Sequence, residues 1–298
     1  MKSSNVFDLI NEYQSHSIIV KSAKTCEYQM DQVRALERYF NFTRIHDIEE
    51  ITNEVIDGIV TWSKSTCRNI TINKRIVFLK QVFRYHKIEH DYLLSFPKLK
   101  QEQRSYDIFS EEQLRLILNT VNKYNEKDPY MLTRKLIVFF LLDTGVRSNE
   151  LVNIKIKNVD LNEKKILLET TKTDVERYVL FTHLTKDLLV KYINFYPDRE
   201  YLFWNYKSFS KYTYKHLEAF CKTLRRDTRI NKLHPHMFRH TMATSLVEDG
   251  CPLETVQKLL GHKDIGSTMI YLHMSLKKTR VDFEKHAFLN RIDAISPN

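Results

Sequence analysis

Glycine is the scarcest structural resource in this chain: 298 residues contain five Gly and six Pro. Average usage would supply about twenty glycines. Collagen-like and low-complexity classes are thereby excluded, and little is left for Gly-rich nucleotide-binding loops. Both residues interrupt helix interiors, so their rarity alongside 42% apolar residues predicts a mainly α-helical globular fold. The length suits two domains with sizeable cores.

A formal net charge of +10 points to a polyanionic partner. A membrane surface is disfavoured, because the N-terminus does not read as a signal peptide and no run of about eighteen apolar residues occurs. Cys26, Cys67, Cys221 and Cys251 lack paired spacing, which suits buried thiols in a reducing, cytoplasmic compartment.

The charge is unevenly placed. Residues 1–63 carry a net −4, and residues 64–100 a net +7. From Lys64 to Lys87 there are seven basic residues and no acid. Ile72, Ile76, Val77, Leu79, Val82 and Phe83 recur there at helical spacing, so Arg75, Lys80, Arg84 and Lys87 are expected to project from a phosphate-tracking helix, a solvated face being the plainer reading of a charge run. Earlier helices are predicted at 6–15, 26–41 and 53–63. The polar stretch around 97–105 marks a linker, dividing a helical domain at 1–100 from a second domain at 106–298.

In the second domain Ser110 caps a helix with Gln113 three residues on, and 132–143 is apolar almost all round, the pattern of a central helix. Residues 164–170 and 176–181 are β-prone and flank Thr171-Lys172-Thr173-Asp174, predicting a hairpin with Lys172 near its turn. Further helices are expected at about 186–194, 207–223, 239–249, 253–260, 265–271 and 276–290.

Three polar clusters carry chemistry. In Asp143-Thr-Gly-Val-Arg-Ser-Asn-Glu-Leu151, Gly145 can end a helix in the left-handed conformation and Ser148 can cap the next, placing Arg147 at a junction. An Arg147–Glu150 ion pair is the plainer reading of that cluster alone. In His234-Pro-His-Met-Phe-Arg-His-Thr241, His236 and Arg239 are i and i+3 and can face one point. A zinc site on His236 and His240 is disfavoured, since no carboxylate or cysteine lies within a turn and Arg239 would sit beside the metal. Finally, Gly261 stops a helix, His262 follows on its loop, and Tyr271 lies nine residues later.

In this order and with these local motifs, Arg147, Lys172, His236, Arg239, His262 and Tyr271 resemble the catalytic set of the tyrosine recombinase (integrase) family. The stretch Thr-Gly-x-Arg-x-x-Glu-Leu reads from Thr144, His-x-x-Arg-His-Thr from His236, and Leu-Gly-His followed by Thr-x-x-Tyr from Leu260. The resemblance covers about residues 105–290; residues 1–100 resemble the family's core-binding domain in length and basic character only. Phe238 stands where Leu is more usual, and the turn around Lys172 lacks the glycines of many relatives, leaving Lys165 and Lys186 as alternatives.

The resemblance implies a helical core-binding domain followed by a mixed α/β catalytic domain with a small β-hairpin sheet. It implies a site-specific recombinase that cuts and rejoins double-stranded DNA at short inverted repeats, through a phosphotyrosine and a Holliday junction, within a synaptic tetramer. No metal or other cofactor is expected. Tyr271 would be the nucleophile, and Arg147, Arg239 and His262 the donors to the non-bridging oxygens. Lys172 would be the general acid, His236 an assisting acid/base, and Glu150 a supporting residue that orients His236 or Arg147. Relatives include type IB topoisomerases, which relax supercoils, and a non-catalytic DNA-binding protein could keep the fold. An amphipathic helix at 276–290, with Val281, Phe283, Ala287 and Phe288, favours the recombinase, in which such a tail docks on a neighbouring subunit.

Overall fold

The computed structural model describes residues 4–100, 106–169, 176–195 and 197–274. Lys172, most of the 97–105 linker and the helix expected at 276–290 lie outside these residues. The chain divides into two compact units, Met1–Arg104 and Ser105–Asn298.

The first unit is helical: α1 (Val6–Val20), α2 (Ala23–Thr43), α3 (Asn53–Lys64), α4 (Asn69–His86) and the short α5 (Asp91–Ser95). Asn5 caps α1 by accepting from the Phe7 and Asp8 amides, and Ser22 caps α2 through Thr25. Leu9, Ile10, Leu36, Phe40, Ile56, Ile59, Ile72, Leu79 and Phe83 form the shared core. Asn73 on α4 exchanges two hydrogen bonds with the Leu99 backbone at 2.8 and 2.9 Å, holding the segment that leads into the linker.

Helix α4 corrects one expectation. It packs against α1, α2, α3 and α5, so its buried arc is wider than a simple amphipathic stripe. Arg75 falls three residues from Ile72, inside that arc, and is 5% exposed. Its guanidinium donates to Ser63 Oγ on α3 and lies 5.8 Å from the Trp62 ring. Val77, assigned above to the apolar side, is 51% exposed. Lys80 is half-buried and donates to the Phe96 carbonyl at 2.8 Å; burial, then Arg84, holds its ammonium below the usual lysine range. The exposed cations are Lys74, Arg84 and Lys87, the last capping α4 in the left-handed conformation.

The second unit is built around α7 (Pro129–Thr144), whose Leu132, Leu136, Ile137 and Phe140 are fully buried. The sequence Pro129 at N1 with Asp128 as N-cap starts it, and Gly145 at φ 58° ends it. Around it lie α6 (Glu111–Asn122), with the Ser110–Gln113 capping box, then α8 (Ser148–Leu151), α9 (His183–Phe195), α10 (Tyr214–Thr228), α11 (Pro235–Glu248), α12 (Leu253–Leu260) and α13 (Gly266–Met274).

The expected hairpin is present as β2 (Lys165–Leu168) and β3 (Arg177–Leu180), joined by β1 (Val159–Asp160) into an antiparallel sheet of order β1-β2-β3. The register pairs Ile166 with Val179 and Leu167 with Tyr178. Alternation turns Ile166, Leu168 and Val179 to the core, whereas Tyr178 and Leu180 are exposed.

A second small sheet, β4 (Trp204–Asn205) with β5 (Ser210–Lys211), occupies a stretch that overlaps the helix expected from 207. Asn205 Oδ1 accepts from the Lys207 and Ser208 amides, a local turn that competes with helix. Helix α10 therefore starts only at Tyr214, under a Thr213–His216 capping box. Among the described residues no helix is long and apolar enough to cross a membrane.

Candidate active site

Two helix C-termini organise the site. Helices α7 and α12 end at Gly145 and Gly261, both in the left-handed conformation at φ 58° and 63°. Helix ends leave carbonyls without intrahelical partners and carry partial negative charge, so cations are favoured there. Arg239, on α11, supplies one cation to both ends: it donates to the Gly145 carbonyl at 2.7 Å and the Leu260 carbonyl at 2.8 Å. Arg147 donates to the Gly261 carbonyl at 3.1 Å. A side chain at Gly145 would be strained by its φ and would run into the end of the Met242 side chain.

Arg147 is itself the N-cap of α8, one residue earlier than the Ser148 cap expected from the sequence. Glu150 reaches back, its Oε2 accepting from the Arg147 amide at 2.7 Å and its Oε1 from Arg147 Nη1 at 2.8 Å. The ion pair and the junction thus coexist. Glu150 Oε2 also accepts from Arg177 Nη2 at 2.8 Å, and Arg177 Nη1 donates to the Leu259 carbonyl at 2.5 Å. Burial pushes the Glu150 carboxyl up, but Arg177, the Arg147 amide and the Arg147 charge together outweigh it and hold the carboxyl below its usual range.

Arg177 was not singled out in the sequence. Its signal was strand alternation: it shares the face of Val179, where a cation needs a partner. It fastens β3, one strand of the hairpin that leads to Lys172, to both Glu150 and the end of α12.

Arg239 is 4% exposed. Burial, then the neighbouring Arg147, pushes its guanidinium down to about 10, still cationic at neutral pH. Its Nη2 lies 2.9 Å from His262 Nε2, and His262 Nδ1 lies 2.8 Å from Thr268 Oγ1. Arginine only donates, so Nε2 accepts and the His262 proton sits on Nδ1, facing Thr268. Burial and Arg239 push this imidazole down to about 4, consistent with the neutral form. In this state His262 holds Arg239 in place rather than offering Nε2 as a donor.

Tyr271, on α13, is 1% exposed, its ring stacked on His262 at 6.3 Å between centroids. Burial raises its phenol above the usual value, against the lowering effect of Arg239 and Arg147. The phenol oxygen lies 3.0 Å from His240 Nδ1, a contact no sequence motif had flagged. His236 is exposed, one turn from His240, with ring centroids 6.4 Å apart. Arg147, Arg239, His262 and Tyr271 are therefore brought together, with His236 at the margin.

Of the alternative lysines, Lys165 sits at the end of β2 away from the hairpin loop, 3.8 Å from Asp160, and Lys186 lies in α9. A cleft of about 670 Å³ adjoins the cluster, lined by Arg147, Lys258, His262 and Lys263 together with Leu167, Arg177, Tyr178 and Leu180 of the sheet. Among the described residues no group of three or more His, Cys, Asp or Glu could hold a metal ion.

Neutralising Glu150 should expose how much the Arg147–Glu150–Arg177 network stabilises the unit. Glu150→Gln leaves two cations facing each other with one carboxylate removed, which costs roughly 3 kcal/mol for a largely buried pair. Thermal unfolding should fall by roughly 5–10 °C for a unit of this size. The pH dependence follows from the directions above. Glu150 is held below its unfolded value near 4.3, so its contribution is complete above that value and is lost as pH falls through the lower folded value. His240 and His262, pushed down to about 4, stabilise the fold above about 6.5 and lose that contribution as pH falls through 4. Denaturant titrations should show stability declining below pH about 6.5, and Glu150→Gln should flatten the limb below pH about 4; an unchanged acid limb would remove Glu150 from this role.

Arginines gathered on helix ends, with a tyrosine and histidines on adjacent helices, form a cationic cluster of the kind that suits a phosphate. The sequence model of the phage integrase family matches residues 107–278. Tyrosine recombinase XerA of Saccharolobus solfataricus is 33% identical over 74% of this chain and 69% of its own length. A probable integrase/recombinase of Acholeplasma phage L2 is 25% identical over 95% of this chain and 98% of that protein. The solved structure of the Tn1549 transposon integrase in complex with a circular intermediate DNA matches with a TM-score of 0.76 at 17% identity, covering 95% of this chain and all of that one. The chain belongs to the phage integrase family of tyrosine recombinases, and its family is one of site-specific DNA recombinases.

Proposed function

We propose that the protein cuts and rejoins double-stranded DNA by transient attachment to Tyr271. The observation that carries this reading is the convergence of Arg147 and Arg239, through the carbonyls of Gly261, Gly145 and Leu260, on one cluster that also contains His262 and Tyr271. Attack on a phosphodiester places negative charge on the non-bridging oxygens, and two fixed guanidiniums are suited to receive it. The phosphotyrosine conserves the bond energy, so rejoining needs no nucleotide. The departing sugar oxygen takes a proton, for which Lys172 is the candidate, with His236 assisting at the margin. Glu150 positions Arg147.

By the same reading the protein acts in the cytoplasm on short inverted repeats, as a tetramer that resolves a Holliday junction. The relative named above as an integrase bound to DNA supports a DNA partner. A nicked suicide substrate carrying inverted repeats should trap an SDS-resistant protein–DNA adduct, and two intact sites should exchange strands. Supercoil relaxation without exchange would favour the topoisomerase alternative, and absence of any adduct would leave a DNA-binding relative.

The first unit is proposed to track phosphates with the exposed end and flank of α4. The combined substitution of Lys74, Arg84 and Lys87 by Gln should weaken DNA binding and lower the salt slope by roughly two to three. Arg75→Ala should instead destabilise the first unit, because the buried Ser63 oxygen loses its donor, keeping only its own bond to the Ile59 carbonyl, and the Trp62 face loses its cation, while leaving the slope unchanged. Fluorescence anisotropy across a salt series separates the two; an unaltered slope in the triple variant would remove α4 from the interface.

A further inference from the structure

We infer that His240 is a catalytic residue, the general base that takes the Tyr271 proton during DNA cleavage and returns it during rejoining. This rests on the reading of Tyr271 as the nucleophile.

The assignment comes from the hydrogen bonds at the phenol. His240 Nδ1 stands 3.0 Å from the Tyr271 oxygen, within the distance a general base needs. The Arg239 guanidinium lies close enough to favour the phenolate of Tyr271. A guanidinium carries donors and no acceptor, so the phenol hydrogen finds its acceptor in His240 Nδ1 rather than in Arg239. Accepting it requires a neutral imidazole protonated on Nε2. Burial, followed by His236, Arg239 and His234, holds His240 in its neutral form, down to about 4.

His262, the other imidazole beside Tyr271, is committed elsewhere: its Nδ1 is bonded to Thr268 and its Nε2 accepts from Arg239. The Tyr106 ring covers His240 at 4.5 Å between centroids, limiting its movement. Arg239, the fixed cation among these influences, is one a phosphodiester would neutralise on docking, so substrate binding itself raises the affinity of Nδ1 for a proton.

In the step proposed, the Tyr271 oxygen forms a bond to phosphorus as its proton passes to His240 Nδ1. The bond from phosphorus to the sugar oxygen breaks, and that oxygen leaves with a proton from the general acid. Rejoining runs the same transfers backwards.

The test is single-turnover cleavage of a nicked suicide substrate by the full chain, with His240 native or replaced in His240→Asn and His240→Ala. Asparagine keeps a hydrogen-bond acceptor near the Nδ1 position but cannot take up the proton, and it preserves the contact if alanine unfolds. Each protein carries either tyrosine or the more acidic 3,5-difluorotyrosine at position 271. Both substitutions should slow cleavage roughly 100-fold or more without loss of DNA binding, and the fluorinated phenol should restore most of the rate. Native-like cleavage by His240→Asn, or a defect that the fluorinated phenol leaves untouched, would reduce His240 to a positioning or packing residue and overturn the proposal. Tyr271→Phe is the control on the underlying reading: if it still forms adducts the nucleophile is wrong, whereas if it forms none while His240→Asn is fast, only the base is wrong.

Discussion

Tyr271→Phe is expected to eliminate covalent adducts while leaving DNA binding intact. The substitution removes one oxygen from a ring that is otherwise fully packed, stacked on His262 and enclosed with Ala243, Val256 and Leu260 in the cluster formed by α11, α12 and α13. Phenylalanine fills nearly the same volume, so the cavity term is negligible and the loss is chemical. His240 loses one hydrogen-bond partner, a cost of roughly 1 kcal/mol that the unit tolerates. Gel analysis with a nicked substrate should therefore show no adduct, against near-complete trapping by the native chain, and anisotropy should show equal affinity. Adduct formation by the variant would shift the nucleophile to another residue.

Arg239→Ala carries the second large effect, and it is twofold. Removing the guanidinium strands the carbonyls of Gly145 and Leu260 at two helix ends and leaves His262 Nε2 without its donor. With the side chain so buried, the stability cost should reach roughly 3 kcal/mol. The catalytic cost is separate: loss of one fixed donor to the developing charge slows cleavage by roughly a hundred- to a thousandfold. Arg239→Lys tells the two apart. Lysine restores the charge but cannot span both carbonyls and His262 with one planar group, so it should recover part of the stability and little of the rate. Urea unfolding and single-turnover cleavage, measured below the unfolding midpoint, give the two numbers. A cleavage rate within tenfold of native for Arg239→Ala would remove this residue from the reacting centre.

Much of this arrangement was legible in the sequence because it is local. The apolar run before Gly145, the single glycines at helix ends and the short motifs around Arg147, Arg239 and Tyr271 all act within a turn or two. The family resemblance rests on the same residues. What escaped was set by contacts between distant segments. Arg75 belongs to the same acid-free run of cations as Lys80, Arg84 and Lys87 on paper, yet four surrounding helices widen the buried arc enough to include it. The helix expected from 207 yields to a turn that the Asn205 side chain makes with its own backbone. Arg177 acquires meaning only when β3 meets Glu150 and the end of α12, separations of 27 and 82 residues. His240 reaches Tyr271 across 31 residues. In the sequence it stands as the histidine after Arg239 in the His-x-x-Arg-His-Thr stretch and as a disfavoured metal ligand, with nothing local to pair it with Tyr271.

His262 is bound differently from what its place in the sequence implies. As a residue on a loop after Gly261 it was expected to donate to the phosphate. The structure gives both its ring nitrogens partners, one of them the arginine it was expected to assist. Donation from Nε2 would require that His262 release Arg239 and gain a proton or change tautomer once substrate has arrived.

The most direct test of the central claim is to identify the residue that carries DNA. Adduct trapped on a nicked substrate, digested with protease and nuclease and sequenced by mass spectrometry, should yield one modified peptide, with a nucleotide phosphate on the Tyr271 oxygen. A nucleotide on any other side chain, or a trapped complex that dissociates on denaturation without a modified peptide, would contradict the account.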